Sequence, residues 1–223
     1  MDNFVVSARK YRPITFDSVV GQKAITSTLQ NAIKTNTLAQ AFLFCGPRGV
    51  GKTTCARIFA KTINCEHLTA DGEPCNECES CRSFNEGRSM SIHELDAASN
   101  NSVEDIRNLI EQVRVIPQGG HYSVFIIDEV HMLSQAAFNA FLKTLEEPPQ
   151  HAIFILATTE VQKLPQTILS RCQRFDFRSI TNADIAERLN EIALADGTKV
   201  DPDALMLLSS AAEGSMRDAI SIL

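Results

Sequence analysis

The segment 46–53 constrains the fold of this chain more than any other. It reads Gly-Pro-Arg-Gly-Val-Gly-Lys-Thr, a full match to the phosphate-binding pattern G-x-x-x-x-G-K-[ST]. An apolar run at 41–45 precedes it, and a helix-like segment follows it. Glycines let successive backbone N–H groups turn toward one phosphate, at the positive end of the helix that begins there. A glycine-rich turn without a ligand is the alternative, but the Lys-Thr pair and both flanks favour a strand, loop and helix that bind a nucleotide.

The polar residues of this loop have distinct expected roles. Lys52 would reach the β- and γ-phosphates, and the Thr53 hydroxyl would bind Mg²⁺. We expect the Lys52 side chain to pack against nothing when no nucleotide is bound. The residues expected to surround the phosphates are Gly46, Pro47, Arg48, Gly49, Val50, Gly51, Lys52, Thr53 and Thr54.

Four more apolar segments alternate with helical periodicity, which predicts an α/β fold with a parallel sheet. They lie at 91–97, 122–127, 153–157 and 174–177.

Acidic and hydroxyl residues follow two of these segments. Asp128 and Glu129 come directly after the second, at the end of a parallel strand where ligands collect. Asp128 would hold Mg²⁺, and Glu129 could polarise the water that attacks the γ-phosphate. Acids here can also be helix N-caps, but the phosphate loop favours the hydrolytic role. Thr158 and Thr159 follow the next segment, and we expect them to face the same crevice.

Composition excludes several classes of protein. The chain has 223 residues, 44% hydrophobic content and a net charge of −6, which are ordinary for a soluble globular protein. No apolar run approaches the ~20 residues of a membrane-spanning helix. The apolar segment 4–6 is too short for a signal peptide, so we expect a cytoplasmic protein. The acidic balance argues against strong non-specific binding of nucleic acid, although it allows a local basic patch.

Four of the seven cysteines form a second motif. Cys65, Cys75, Cys78 and Cys81 follow the spacing Cys-x9-Cys-x2-Cys-x2-Cys, which allows four thiolates to converge on one tetrahedral Zn²⁺. Disulfide or redox use is the competing interpretation, and the cytoplasmic context disfavours it. We expect a structural zinc that binds independently of nucleotide, because the cysteines lie in an insertion away from the phosphates.

Beyond residue 178 the pattern is wholly helical. Thr181 and Asp201 are helix-capping residues, and a third helix starts within 214–218. We predict a nucleotide-binding domain over 1–178, with the cysteine module inserted at about 64–84, and a small helical domain over 179–223. The sequence stops within the last helix, so we expect it to be truncated there.

A series of short motifs, in order along the chain, resembles one protein family. They are Arg9-Lys10-Tyr11-Arg12-Pro13, Val20-Gly21-Gln22, the phosphate loop, the four-cysteine module, Asp-Glu-Val-His-Met-Leu at 128–133, Leu-Glu-Glu-Pro-Pro at 145–149, Ala-Thr-Thr at 157–159, Ser-Arg-Cys at 170–172 and Gly-Ser-Met-Arg-Asp at 214–218. Together they resemble the AAA+ ATPases and, more narrowly, the gamma/tau-type clamp-loader subunits of bacterial DNA polymerase III. The resemblance implies an AAA+ P-loop fold: a parallel five-stranded sheet flanked by helices, a zinc-module insertion and an all-helical lid.

The resemblance also implies roles for individual residues. Thr158, or Thr159 beside it, would be the first sensor of the nucleotide, and Arg217 would be the second sensor, reaching it from the lid. Arg171 would be an arginine finger that acts on the nucleotide of the neighbouring subunit. The residues implied beside the adenosine are Tyr11, Arg12, Val19 and Val20.

The implied function is the ATP-driven opening and loading of a ring-shaped sliding clamp onto primed DNA. ATP would be hydrolysed to ADP and phosphate at subunit interfaces, with Mg²⁺ and Zn²⁺ as the bound metals. The implied partners are the delta and delta prime subunits, further gamma/tau copies, the clamp and primer-template DNA. A nucleic-acid motor of the branch-migration helicase type and a scaffold subunit that does not hydrolyse ATP are the alternatives. The intact Lys52, Thr53, Asp128 and Glu129 argue against the scaffold.

Overall fold

The structure is a computed structural model that describes residues 10–117 and 121–223. Arg9, the first residue of the basic motif, lies outside the described residues. The helices and strands in chain order are α1 (Lys23–Lys34), β1 (Ala41–Cys45), α2 (Lys52–Ile63), α3 (Glu79–Asn85), β2 (Ile92–Asp96), α4 (Val103–Val113), β3 (Ser123–Asp128), α5 (Gln135–Glu146), β4 (Ala152–Thr158), α6 (Gln166–Leu169), β5 (Gln173–Asp176), α7 (Asn182–Ala195), α8 (Pro202–Ala211) and α9 (Met216–Ile222).

The five strands form one parallel sheet in the spatial order β2-β3-β4-β1-β5. This confirms the predicted sheet, and each predicted strand lies within one residue of the observed one at either end. Strand β4 lies between β1 and β3, although it follows both in sequence. The loop after β1 and the acids after β3 therefore flank the end of β4, at the edge where parallel α/β sheets bind ligands.

The sheet is covered on both faces, which explains why its strands read as continuous apolar runs. All residues of β1 and β4 are buried. Phe42 and Phe44 of β1 pack with Phe59 of α2 on one face. Leu43 packs with Phe141 of α5 on the other. Each such side chain contributes roughly 1.5–3 kcal/mol by leaving water, so the sheet is a rigid base for the loops at its carboxyl edge.

Polar side chains fix the starts of the helices. Ser102 and Asp105 form a reciprocal capping box at α4, with the Asp105 N–H donating to the Ser102 hydroxyl. Thr181 caps α7 and Asp201 caps α8, as the sequence predicts. Such caps pair backbone N–H groups that have no partner within the helix, and each is worth ~1 kcal/mol.

Helices α7, α8 and α9 enclose a separate small core. Ile185 and Leu189 of α7 pack with Leu205 of α8 and Ile220 of α9. These helices lie within the segment 179–223 for which the sequence predicts a helical domain, and we refer to them as the lid. Within the described ranges, no helix combines the length and the apolar character needed to cross a membrane.

Candidate nucleotide site

The phosphate loop adopts a conformation that requires glycine at three positions. Gly46, Gly49 and Gly51 all have positive φ angles, of 145°, 75° and 105°. A Cβ on Gly46 would lie 2.5 Å from the Phe177 carbonyl oxygen, and one on Gly49 would lie 1.9 Å from the Ser215 Oγ. The loop is therefore held between the segment after β5 and the start of α9 in the lid.

Lys52, the first residue of α2, is buried against its own loop. Its Nζ donates to the carbonyl oxygens of Gly46 and Pro47, at 2.7 and 2.6 Å. The expectation that this side chain packs against nothing is wrong, because the loop itself provides two acceptors. Burial lowers the pKa of Lys52, and the nearby carboxylates of Glu129 and Asp128 oppose that shift.

The two predicted magnesium ligands lie together. The Thr53 hydroxyl, at the start of α2, donates to Asp128 Oδ2 at 2.6 Å. The other oxygen, Asp128 Oδ1, accepts the backbone N–H of Glu129 at 3.0 Å. A hydroxyl and a carboxylate at the ends of two buried elements are the oxygen ligands that Mg²⁺ prefers.

Glu129 occupies an unusual backbone position. Its φ and ψ of 47° and 45° are left-handed, which is uncommon for a residue with a Cβ. Its carboxylate accepts the backbone N–H of Thr159 at 3.1 Å and the Thr159 hydroxyl at 2.9 Å. Such a conformation costs on the order of 1–3 kcal/mol, and it is retained where the surrounding structure fixes it. The two Thr159 donors hold the Glu129 carboxylate in one direction.

The two neighbouring threonines differ in their contacts. Thr158 is fully buried, and its Oγ1 lies 2.9 Å from His131 Nδ1 and accepts the Glu160 N–H at 3.0 Å. Of these two threonines, Thr159 is the one that hydrogen-bonds to the Glu129 carboxylate. Thr159 therefore contacts the predicted catalytic acid Glu129, whereas the Thr158 hydroxyl is directed toward His131.

An open cleft joins these groups to the lid. The cleft brings together most of the predicted nucleotide contacts, although Gly46 and Pro47 do not line it. The predicted residues in its lining are Tyr11, Arg12, Val19, Val20, Arg48, Gly49, Val50, Gly51, Lys52, Thr53, Thr54, Asp128, Glu129 and Arg217.

Several lining residues were not predicted. Met216 and Ile220 are four residues apart on α9, so they share the face next to Arg217. That spacing was the available signal in the sequence. Ile180 and Arg188 also line the cleft, but their place depends on how the lid folds back over the loop.

The N-terminal arm connects to the lid. Lys10 Nζ donates to the Asp196 carboxylate at 2.7 Å, and the Tyr11 hydroxyl donates to the same carboxylate oxygen. Asp196 ends helix α7. The arm therefore runs from the lid along one wall of the cleft.

Arg171 lies outside the cleft of its own chain. Its Nη2 pairs with Glu146 Oε1 at 2.7 Å, and its Nη1 donates to the Thr167 carbonyl at 2.7 Å. Its side chain is 32% exposed, so the guanidinium remains accessible at the surface. The structure thus does not bring Arg171 together with Lys52 and Glu129 within one chain.

The four predicted metal-ligating cysteines converge. Their sulfur atoms all lie within 4.8 Å of one another. The backbone N–H groups of Cys75 and Cys78 donate to the sulfurs of Cys65 and Cys75, both at 3.3 Å. Although burial opposes it, backbone N–H donors from Glu77 and Cys78 lower the pKa of the Cys75 thiol to about 6. Four sulfurs around one point are the donor set of a closed tetrahedral zinc site.

Comparison with known sequences identifies the family. Residues 21–181 match the family described as "DNA polymerase III, delta subunit", and residues 184–223 match "DNA polymerase III clamp loader subunit, ATPase lid domain". The chain belongs to the family of DNA polymerase III clamp-loader subunits. Relatives include DNA polymerase III subunit tau of Bacillus subtilis, 55% identical over 215 residues, and of Escherichia coli, 48% identical over 221 residues. These alignments cover 96% and 99% of this chain but 38% and 34% of the relatives, so the chain spans little more than a third of their length.

Solved structures support the fold of this clamp-loader family member. The Thermotoga maritima RuvB Holliday junction branch migration motor matches with a TM-score of 0.68 and 21% identity, over 94% of this chain and 63% of that one. The T158V variant of Thermotoga maritima RuvB matches with a TM-score of 0.69 and 21% identity, over 94% and 63%. At this identity the likeness shows the fold alone, and it agrees with the predicted AAA+ architecture.

Proposed function

We propose that this chain is the ATP-hydrolysing part of a clamp-loader subunit that helps open a sliding clamp and load it onto primed DNA. The observation that carries the proposal is the convergence of Lys52, Thr53, Asp128 and Glu129 in one cleft of a DNA polymerase III family member. The clamp, primer-template DNA, the delta and delta prime subunits and further gamma/tau copies are the proposed partners. The site is proposed to work in the cytoplasm, where cysteines stay reduced and can hold a metal.

Binding of ATP would use the loop and the start of α2. Backbone N–H groups of the loop would surround the β- and γ-phosphates at the positive end of the helix. The Lys52 ammonium would exchange the Gly46 and Pro47 carbonyls for phosphate oxygens, and its present contacts keep it within reach of them. Arg217 would approach the phosphates from the lid.

Hydrolysis would use the acids after β3. Thr53 and Asp128 would hold Mg²⁺, which supplies positive charge to the phosphate oxygens when bound. Glu129 would accept a proton from the attacking water, and its two hydrogen bonds from Thr159 would aim its carboxylate. Arg171 would act on the neighbouring subunit's nucleotide, which its accessible surface position supports. We propose a purely structural Zn²⁺ on Cys65, Cys75, Cys78 and Cys81, supported by their convergence.

The test replaces Lys52 in the full-length subunit. We expect Lys52→Met to weaken ATP binding by roughly a hundredfold, because a charge-assisted hydrogen bond is worth ~1.5–3 kcal/mol. Lys143→Met, at an exposed position of α5, is the matched control. Thermal unfolding verifies that both variants fold, since Lys52→Met also removes two internal hydrogen bonds.

The stimulus for hydrolysis separates the proposed function from its alternatives. We expect ATP hydrolysis by the assembled complex to rise with primed DNA plus clamp, and this rise to be lost in Lys52→Met. Normal hydrolysis by Lys52→Met would refute the site assignment. Stimulation by branched DNA alone would instead favour a branch-migration motor, and no hydrolysis by the unmodified complex would favour a scaffold.

A further inference from the structure

Glu73 is a buried acid of the cysteine module whose carboxylate contacts the N-terminal part of the chain. It ends a tight turn in which the Thr69 N–H donates to the Glu73 carbonyl at 3.0 Å and the Glu73 N–H donates to the Thr69 hydroxyl at 3.0 Å. Its side chain then accepts the Phe16 N–H at 2.8 Å and the Asp17 N–H at 3.0 Å. The amide of Gln30, on α1, donates to the same carboxylate at 3.0 Å. One side chain therefore joins three separate parts of the chain.

The partners of Glu73 explain how this carboxylate tolerates burial. Glu73 is only 7% exposed, and a buried carboxylate is costly unless hydrogen bonds compensate it. Two backbone N–H groups and one amide provide this compensation. The dependence is mutual, because the Phe16 N–H is itself buried and would lose its partner without Glu73.

The segment that Glu73 holds leads directly into one side of the cleft, formed by Ser18, Val19 and Val20, which we call the wall. Phe16 is 1% exposed within the main core, and its carbonyl accepts the Val19 N–H at 3.1 Å. Ser18, Val19 and Val20 then line the cleft. A Cγ atom of Val19 lies 3.8 Å from where a Cβ on Gly51 of the phosphate loop would be. The turn held by Glu73 thus sets the distance between this wall and the loop.

The chemistry of this wall suits a base rather than a phosphate. Val19 and Val20 are apolar, as are Met216 and Ile220 of the lid, and all four line the same cleft. The loop's N–H groups and Lys52 account for the phosphates. The aromatic face of the base is the remaining part of a nucleotide that apolar side chains can cover.

The cysteine module also contacts α1 close to this wall. Gly72 has a φ of 80°, and a Cβ there would lie 2.6 Å from Cε of Lys34 on α1. Glu73 also precedes the metal-ligating candidate Cys75 by two residues. Movement of the cysteine cluster would therefore pass to the Glu73 carboxylate through a short stretch of backbone.

We propose that Glu73 is a positioning residue for the base-binding wall of the nucleotide cleft, through which the cysteine module supports nucleotide binding in its own chain. The inference rests on the proposed ATP site. Metal and nucleotide are then not independent, contrary to the expectation from the sequence. Loss of the metal would free the turn at 69–75, and this would weaken the hydrogen bonds by which Glu73 holds the wall.

The test separates base binding from phosphate binding. Glu73→Gln keeps the shape of the side chain but turns one acceptor into a donor that faces an N–H group. Glu77→Gln, an exposed glutamate of the same module, is the matched control. Calorimetry on the full-length subunit would measure the affinity for Mg-ATP and for Mg-tripolyphosphate, which has the phosphates without the base. Elemental analysis would measure the metal content of each variant.

We expect Glu73→Gln to weaken ATP binding about tenfold while tripolyphosphate binding stays within about twofold of the unmodified subunit. The metal content should not change, since the Glu73 carboxylate bonds to no cysteine. Unchanged ATP affinity, or equal losses for ATP and tripolyphosphate, overturns the inference. If the unmodified subunit itself binds no ATP, the proposed function has failed instead.

Removal of the metal gives a second, independent measurement. Chelation should weaken ATP binding by the unmodified subunit, with little effect on tripolyphosphate, and should add little to the loss in Glu73→Gln because both act through one contact. Undiminished ATP binding after verified metal loss contradicts the coupling.

If Glu73→Gln does not fold, Gln30→Met provides another test, because it removes one hydrogen-bond donor to Glu73 and keeps both backbone donors. We expect Gln30→Met to weaken binding of ATP alone by about threefold. No loss of ATP affinity would count against the inference.

Discussion

A single methyl group on Gly49 should separate the lid from the phosphate loop. Gly49 contacts the first residues of α9, since its carbonyl accepts the Met216 N–H at 3.1 Å. A Cβ at this position would lie 1.9 Å from the Ser215 Oγ and 2.9 Å from its Cβ. Gly49→Ala therefore cannot keep both the loop conformation and the present position of Ser215.

Two costs add up in this variant. Alanine at a φ of 75° pays the left-handed penalty of ~1–2 kcal/mol. Ser215 must also move, which endangers its N-cap bond from the Asp218 N–H, worth ~1 kcal/mol. We expect a total loss of about 2–3 kcal/mol in the free energy of unfolding. ATP affinity should fall roughly tenfold, because Arg217 and its neighbours on α9 move away from the cleft.

Two further variants separate strain from collision. Gly197 also has a positive φ, of 74°, but nothing lies within 4 Å of an added Cβ. Gly197→Ala therefore measures the backbone strain alone. Ser215→Gly removes both atoms that collide and costs only a few tenths of a kcal/mol as an N-cap. We expect the double variant Gly49→Ala/Ser215→Gly to recover about 1 kcal/mol relative to Gly49→Ala, a coupling that urea titrations resolve.

Two results would contradict this collision between Gly49 and Ser215. If Gly49→Ala costs no more than Gly197→Ala, the collision with Ser215 has no energetic effect. If Ser215→Gly adds its own loss to that of Gly49→Ala without any recovery, the two residues are not coupled, and the loop and lid do not meet as described.

Two other predictions address the cysteines and Arg171. The purified subunit should contain one Zn²⁺ per chain and retain it when ATP is omitted; absence of metal, or a disulfide between Cys75 and Cys78 in peptide maps, would contradict the structural zinc site. Arg171→Ala should leave ATP binding intact but reduce turnover of the assembled complex about a thousandfold or more, because an arginine supplied from a neighbour stabilises transition-state charge. Mixtures of Arg171→Ala and Lys52→Ala subunits should regain some activity, and full activity of an isolated monomer would rule out the action between subunits.

The sheet could be predicted from sequence because each strand is a short apolar run that ends in turn residues or acids. The loop at 46–53 and the acids at 128–129 could also be placed, since both follow strands of one parallel sheet. These predictions depend only on the order of residues that are close together in the sequence. The comparisons then confirmed the family that the ordered motifs suggested.

Contacts that depend on side-chain direction or on distant segments could not be predicted. A strand places successive side chains on opposite faces, yet the sequence does not say where β4 ends, so Thr158 and Thr159 could not be distinguished. The carbonyl partners of Lys52 arise from the folded path of its own loop. Glu73 gave no signal, because its partners lie 57 and 56 residues away in the chain.

The clasp of Lys10 and Tyr11 on Asp196 ties the N-terminal arm to the lid. The lid is joined to the sheet by the chain at 177–181, and this clasp is a second attachment at the far end of α7. The clasp therefore restrains the end of α7 that lies farthest from this connection. The side chains of Lys10 and Asp196 are 53% and 42% exposed, and ion pairs between exposed groups are weak. The clasp therefore positions the lid without locking it, because little free energy is needed to break it.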